Sequence, residues 1–170
     1  INGVMLFRHR IGDDPDERFF EEMEEGLWLA GLHVWKNLEW DGPQSKLSGN
    51  HFLSNLTGLL GLGLFFGDQR LGRRWFAFAK RCFEREMQVQ VNPDGTNYET
   101  STSYHRLVME MFLWARSICR TAGNPFSEAY EARLCRMADF VKACTSPSGK
   151  ICQIGDNDSG RVLSCGIADP

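Results

Sequence analysis

Apolar residues recur along most of the chain at the spacing of helices. Tyr104, Leu107, Val108, Met111, Ala115, Ile118 and Ala122 recur at helical spacing, which aligns them along one face of a helix with about 3.6 residues per turn. Met109, Phe112, Leu113 and Trp114 make other faces of that segment apolar as well. A helix of this kind needs partners on more than one side.

The same reading predicts four further helices. Asp14-Pro15-Asp16-Glu17 has the order of a helix start, with a capping acid, Pro at the first helical position and acids facing the positive end of the dipole. The first helix then runs to about Trp40. A polar loop, Asp41 to Gly49, precedes a second helix from Asn50 to Phe66, and a third covers Leu71 to Val91. Gly58, Gly61 and Gly63 inside the second helix lower its propensity, so they are expected to permit close approach of a neighbouring helix. Asn92-Pro93-Asp94-Gly95 stops the third helix, and Thr96 to Ser103 is extended loop. The fourth helix spans Ser103 to Thr121 or Ala122, and the fifth Phe126 to Thr145. A long loop from Ser146 to Gly160 follows, with a short strand expected at Lys150 to Ile154.

Consecutive helices joined by loops of these lengths form antiparallel hairpins layered into a bundle or toroid, an all-α architecture. Alternation then gathers all three long loops on one rim, with the N-termini of the second and fourth helices. The opposite rim keeps only tight turns near Asp68 and Asn124. Long loops on one edge of a rigid scaffold are where binding and catalysis are usually built.

Composition removes several classes. The formal net charge of −3 over 170 residues lacks the basic excess that nucleic-acid wrapping needs. The longest apolar stretch, Leu56 to Phe66, is too short and too Gly-rich to span a bilayer. No export signal or anchor is visible; the chain opens at Ile1 and closes at Pro170 on a loop, and location is not readable from it. The six cysteines contain no C-x-x-C pair and fall mostly at apolar helical positions, which favours reduced, buried thiols over zinc or disulfides.

The candidate chemistry sits on the loop-bearing rim. Asn50-His51 opens the second helix and Tyr104-His105 the fourth, at ends whose free N–H groups and dipole attract anions. Trp40, Asn97, Tyr98, Glu99 and Arg161 come from adjoining loops, giving a polar cleft with aromatic walls suited to a sugar chain. Each residue also has an ordinary reading: Asn50 as an N-cap, His51 as a structural imidazole, Tyr104 as a core aromatic, and Glu99 as a loop brace. His105, adjacent to Tyr104 on the helix, points about 100° away from it and has the core as its alternative. Asp156-Asn157-Asp158-Ser159-Gly160 opens like a calcium loop, but Ile167 stands where that loop needs a bidentate Glu, so no metal is expected.

Four runs together are more specific than these single residues. Asn50-His51-Phe52-Leu53-Ser54-Asn55-Leu56-Thr57-Gly58-Leu59-Leu60, Gln90-Val91-Asn92-Pro93-Asp94-Gly95-Thr96-Asn97-Tyr98-Glu99-Thr100-Ser101, Tyr104-His105 and Ile154-Gly155-Asp156-Asn157-Asp158-Ser159-Gly160-Arg161 follow one another in order. They resemble the successive signatures of the heparinase II/III-like polysaccharide lyases. The resemblance implies that residues 1–170 are the catalytic-rim part of an incomplete (α/α) toroid, with 146–170 leading toward a β-sandwich domain absent from this sequence. It implies an acidic, uronic-acid polysaccharide as partner, whether heparan-like, alginate-like or an exopolysaccharide, and β-elimination without a cofactor. By matched position, Asn50 and His51 would neutralise the uronate carboxylate and Tyr104 would transfer the proton, while His105, Glu99, Trp40, Asn97 and Arg161 would line the substrate. Many members of this family are periplasmic or secreted.

Two other readings remain open on the residues themselves. A glycoside hydrolase on a similar toroid would use Glu99 with Asp94, Asp156 or Asp158 as its two carboxylates. A carbohydrate-binding scaffold would keep the fold without the chemistry.

Overall fold

The computed structural model describes residues 17–40, 42, 48–157 and 160–162. The described residues form five helices, α1 (Glu17–Lys36), α2 (Asn50–Phe65), α3 (Arg70–Gln90), α4 (Thr102–Thr121) and α5 (Glu128–Ala143). The expected start of α1 at Asp14 and Pro15 lies outside the described residues. The helix ends at Lys36, short of Trp40, because Asn37 turns its side-chain amide onto the carbonyl of His33 at 2.7 Å. Trp40 is thereby released to lie flat on Phe52, with ring centroids 5.3 Å apart and planes 8° from parallel.

Helices α2 and α3 form the tightest hairpin, and α2 also packs against α1 and α4, while α5 lies on α3 and α4. Phe52, Leu53, Leu56, Leu59 and Leu60 of α2 meet Trp75, Phe83 and Met87 of α3 and Val108, Met111 and Phe112 of α4 in one buried core. Each such side chain contributes about 1.5–3 kcal/mol on leaving water. Gly63 permits this approach: a Cβ there would stand 2.5 Å from the backbone nitrogen of Phe76. Gly58 does not share that role, for a Cβ at its position would meet nothing within 4 Å.

Helices α4 and α5 begin on serine caps. Ser101 Oγ accepts from the Tyr104 N–H and Ser127 Oγ from the Tyr130 N–H, each at 3.2 Å, satisfying donors that a helix start leaves without partners. Tyr130 is fully buried and donates to the Phe112 carbonyl at 2.9 Å, which ties α5 to α4.

The expected strand at Lys150 to Ile154 is absent. A turn closed by Ser146 N–H to the Lys150 carbonyl at 2.8 Å leaves only the antiparallel bridge between Thr145 and Ile151. The thiols also depart from expectation. Cys82 and Cys119 are buried, and burial pushes each thiol up to about 11. Cys135 and Cys152 are exposed, however, and Cys144 is half-buried, because they face away from the α3–α4–α5 contacts. Cys165 lies outside the described residues.

Long connections and helix starts do share a rim. Thr102 N–H donates to the Ile154 carbonyl at 3.0 Å, and the Thr102 hydroxyl to the Cys152 carbonyl at 2.9 Å. Ser101 Oγ donates to the Asp156 carbonyl at 2.6 Å and Ser103 Oγ to Asn157 Oδ1 at 2.9 Å. The segment 152–157 is thus strapped across the start of α4.

Candidate active site

The loop between α3 and α4 is built to deliver one carboxylate. After α3, Asn92 N–H bonds the Thr96 carbonyl at 2.8 Å around a turn in which Gly95 takes φ +95°. Asp94 Oδ1 accepts from the Thr96 N–H at 2.9 Å and the Thr96 hydroxyl at 2.7 Å. The backbone bond first and the hydroxyl second hold this carboxyl below its ordinary range. Asn97, only 3% exposed, donates to the Gln90 carbonyl at 3.1 Å and accepts from the Glu99 N–H at 3.0 Å. Thr100 follows at φ 56°, a left-handed conformation that a β-branched residue rarely adopts.

This loop presents Glu99 to Asn50. The Asn50 amide nitrogen lies 3.2 Å and 3.1 Å from the two Glu99 oxygens. Asn50 is the first residue of α2, with Gly49 as N-cap, so its side chain does not cap the helix but projects from it. His51 Nδ1 lies 2.8 Å from Glu39 Oε2, and both side chains are largely exposed. Glu39 is fixed in turn by its own N–H, which donates to Asn55 Oδ1 at 2.8 Å, one turn along α2 from His51.

Tyr104 is half-buried at the start of α4. Helical periodicity puts it on the same face as Val108 and Met111. That face meets α2: Ser54 Oγ lies 3.7 Å from Met111 Sδ and also donates to the Asn50 carbonyl at 3.1 Å. Asn50, His51 and Tyr104 therefore stand on neighbouring helix starts at one end of the molecule, with Glu99 between the loop and Asn50.

Four of the expected substrate-lining residues have their surroundings set by the protein itself. His105 is 1% exposed, its Nδ1 accepting from the Asn97 N–H at 3.3 Å and its Nε2 donating to the Met137 carbonyl at 3.1 Å. Burial lowers its pKa, and this pairing requires the neutral ring. It braces the core beneath the rim, since the turn of the helix carries it inward from Tyr104. Asn97 is spent on the loop itself. Trp40 packs its ring on Phe52 and Phe78. Arg161 lines a cavity of about 770 Å³ with Ser103, Arg106, Glu110, Lys150 and Asn157, on a face of α4 roughly 100° from that of Tyr104.

Two features had no signal in the pattern of residues. One is Glu39 beside His51, visible only once the loop after α1 folds back along α2. The other is a buried polar knot in which Gln90 Nε2 donates to Glu86 Oε2 at 2.9 Å and also bonds the Ser48 carbonyl. Glu86 is wholly buried, and burial raises its pKa. Tyr98 lies between knot and rim, its hydroxyl 3.8 Å from where a Cβ on Gly49 would stand; burial and then the charge of Glu99 raise its pKa. Among the described residues no group of three or more His, Cys, Asp and Glu side chains converges to hold a metal ion. No described helix is long and apolar enough to cross a membrane.

Comparison with known proteins agrees with this architecture. Residues 43–164 match the family model described as Heparinase II/III N-terminus. A heparin-sulfate lyase of Bacteroides stercoris is 28% identical over 101 residues, covering 58% of this chain and 15% of the relative. A solved heparinase III gene product superposes with a TM-score of 0.59 at 25% identity, over 70% of this chain and 18% of that one. A heparinase III crystal structure shares the fold with a TM-score of 0.57 at 21% identity, over 76% of this chain and 18% of that one. The chain therefore spans less than a fifth of the length of these relatives. Its antiparallel hairpins make an arc of an (α/α) toroid, and the chain belongs to the heparinase II/III N-terminal family.

Proposed function

We propose that this chain supplies part of the catalytic rim of a polysaccharide lyase, which cleaves a uronic-acid polysaccharide by β-elimination. The observation that carries the reading is the Asn50 amide holding a carboxylate at hydrogen-bond distance from both oxygens, with His51 beside it and Tyr104 on the facing side of α4. Glu99 stands in for the carboxylate that a uronate would bring. The likeness to a heparin-sulfate lyase supports the same reaction class.

In this reaction the C5–H bond breaks, its electron pair becomes the C4–C5 double bond, and the C4–O bond breaks as that oxygen takes a proton. Charge developing from C5 into the carboxylate is the costly part. Asn50 and His51 offset it by hydrogen bonding at a helix start, where the dipole adds to both. Tyr104 delivers a proton to the leaving oxygen, and the C5 proton passes to a basic His or Tyr contributed by the rest of the lyase; a well-placed acid or base contributes about 10²–10⁴ in rate. The chain spans less than a fifth of the length of its lyase relatives, so on this reading the rest of the cleft comes from other parts of the protein and the isolated 170 residues are expected to turn over weakly. A robust turnover number from them alone would contradict that division of the site.

The two-carboxylate hydrolase has less support. Asp94 is committed to Thr96 and held in its ionised form, which suits a turn brace and not a general acid. The deciding test is absorbance at the unsaturated-uronate band, using full-length protein, a panel of heparan, chondroitin, alginate and bacterial acidic polysaccharides, and the Tyr104→Phe variant. A rise that the variant abolishes is the expected result. Reducing ends formed without absorbance would make the enzyme a hydrolase and sink the lyase reading.

A further inference from the structure

Oxidation chemistry offers a site on the strap that the lyase reading does not use. Cys144 caps the end of α5 and Cys152 begins the segment lying across the start of α4. Cys152 N–H donates to the Cys144 carbonyl at 3.0 Å, and Ser146 N–H to the Lys150 carbonyl at 2.8 Å, flanking the Thr145–Ile151 bridge. The two cysteines are thus directly opposed neighbours in an antiparallel pairing. The Cys144 N–H stays on the Phe140 carbonyl at 3.0 Å; residues opposed in an antiparallel pairing have Cα atoms about 4.5–5.5 Å apart, inside the roughly 4.4–6.8 Å that a disulfide spans. Cys152 is exposed and Cys144 half-buried, whereas Cys82 and Cys119 are sealed in the core.

We propose that Cys144 and Cys152 form a dithiol site that closes an intramolecular disulfide when it meets a small disulfide of the glutathione type. The exposed Cys152 thiolate attacks one sulfur of the small disulfide, forming a mixed disulfide and releasing one small thiol, which takes up the proton Cys152 gave up. The Cys144 thiolate then attacks the Cys152 sulfur, the bond to the second small thiol breaks, and that thiol leaves protonated. Two protein thiols are oxidised and one small disulfide is reduced to two thiols. Burial and the neighbouring Cys152 thiol push the Cys144 thiol up, which fits it to the second, intramolecular step, where proximity substitutes for thiolate abundance. The bond would fasten the end of α5 to the strap whose Cys152 and Ile154 carbonyls hold Thr102.

The test uses full-length reduced protein incubated with glutathione disulfide, quenched by alkylation and mapped by mass spectrometry after digestion. The expected result is a linked pair of peptides carrying Cys144 and Cys152, with Cys82 and Cys119 alkylated as thiols once the chain is unfolded. Cys144→Ser is expected to stop at the mixed disulfide on Cys152, a species that the wild type passes through. Recovery of both cysteines as free thiols, or a wild-type protein that stops at glutathione on Cys152, would overturn the proposal. The wild-type map decides the question even if a variant folds poorly.

Discussion

The amide of Asn50 donates to both oxygens of Glu99, at 3.2 Å and 3.1 Å, so the free protein already holds a carboxylate at the start of α2. On the proposed lyase reading, an acidic sugar at Asn50 has to share or displace it. Glu99→Gln keeps an acceptor for Asn50 but removes the competing charge. A partly exposed charge contact of this kind is worth about 1 kcal/mol, so KM for an acidic polysaccharide is expected to fall roughly fivefold with kcat little changed. Steady-state kinetics of full-length protein decide it. Loss of turnover at unchanged KM would instead make Glu99 an acid or base.

His51 and Glu39 act as one unit in this geometry, with Glu39 anchored by Asn55 and aimed at His51 Nδ1. Glu39→Ala should lower kcat/KM by about three- to tenfold through loss of orientation, and His51→Ala by more. In the His51→Ala background the Glu39 change should cost nothing further, since coupled residues are non-additive. Fully additive losses in that double-mutant cycle would show two independent roles.

Thr100 holds a left-handed backbone at φ 56° with its side chain exposed. Asn tolerates that conformation better than a β-branched residue. Thr100→Asn is expected to raise stability by about 0.5–1 kcal/mol, a Tm gain of roughly 1–4 °C for a chain of this size. An unchanged or lower Tm by calorimetry would mean that the loop relaxes around Thr100 without strain.

Glu86 provides a pH-dependent prediction. Burial raises its folded-state pKa above the ordinary value of 4.5, so the folded chain keeps a proton that the unfolded chain releases. That stability is fully present below about pH 4.5 and is lost as pH rises through the folded value. Glu86→Gln, neutral at every pH and still able to accept from Gln90, is therefore expected to be more stable than wild type at pH 7 and above. The difference should close toward pH 4.5. A gain that is equal at pH 4 and pH 8 would show that Glu86 does not titrate across that interval.

The helices were legible because each carries its own periodicity; the ends of α2 to α5 lie within two residues of expectation, and the larger shift is at the end of α1, where Asn37 intervenes. Asn50, His51 and Tyr104 could be assigned to one rim because alternation of hairpins fixes which helix starts share an end. The fate of His105 and Asn97 could not be read in this way. Their partners, Met137 and Gln90, come from other helices, and local spacing carries no information about which distant carbonyl will satisfy a buried ring or amide. Glu39 was invisible for the same reason. Gly63 and Gly58 look alike in sequence, but only the register of α3 decides which of them faces Phe76.

The two ends of this molecule are constrained differently. At the end opposite the rim, Gln69 N–H bonds the Phe66 carbonyl at 3.0 Å, and any Cβ at Gly72 would collide with that carbonyl. That turn can neither lengthen nor accept bulk without prising α2 from α3. At the rim, the helices are already complete where the loops leave them, and the loops are held mainly by hydrogen bonds to the helix ends. Descendants of this fold can therefore change what the rim binds by rewriting loop tips, while the hairpins beneath them stay the same.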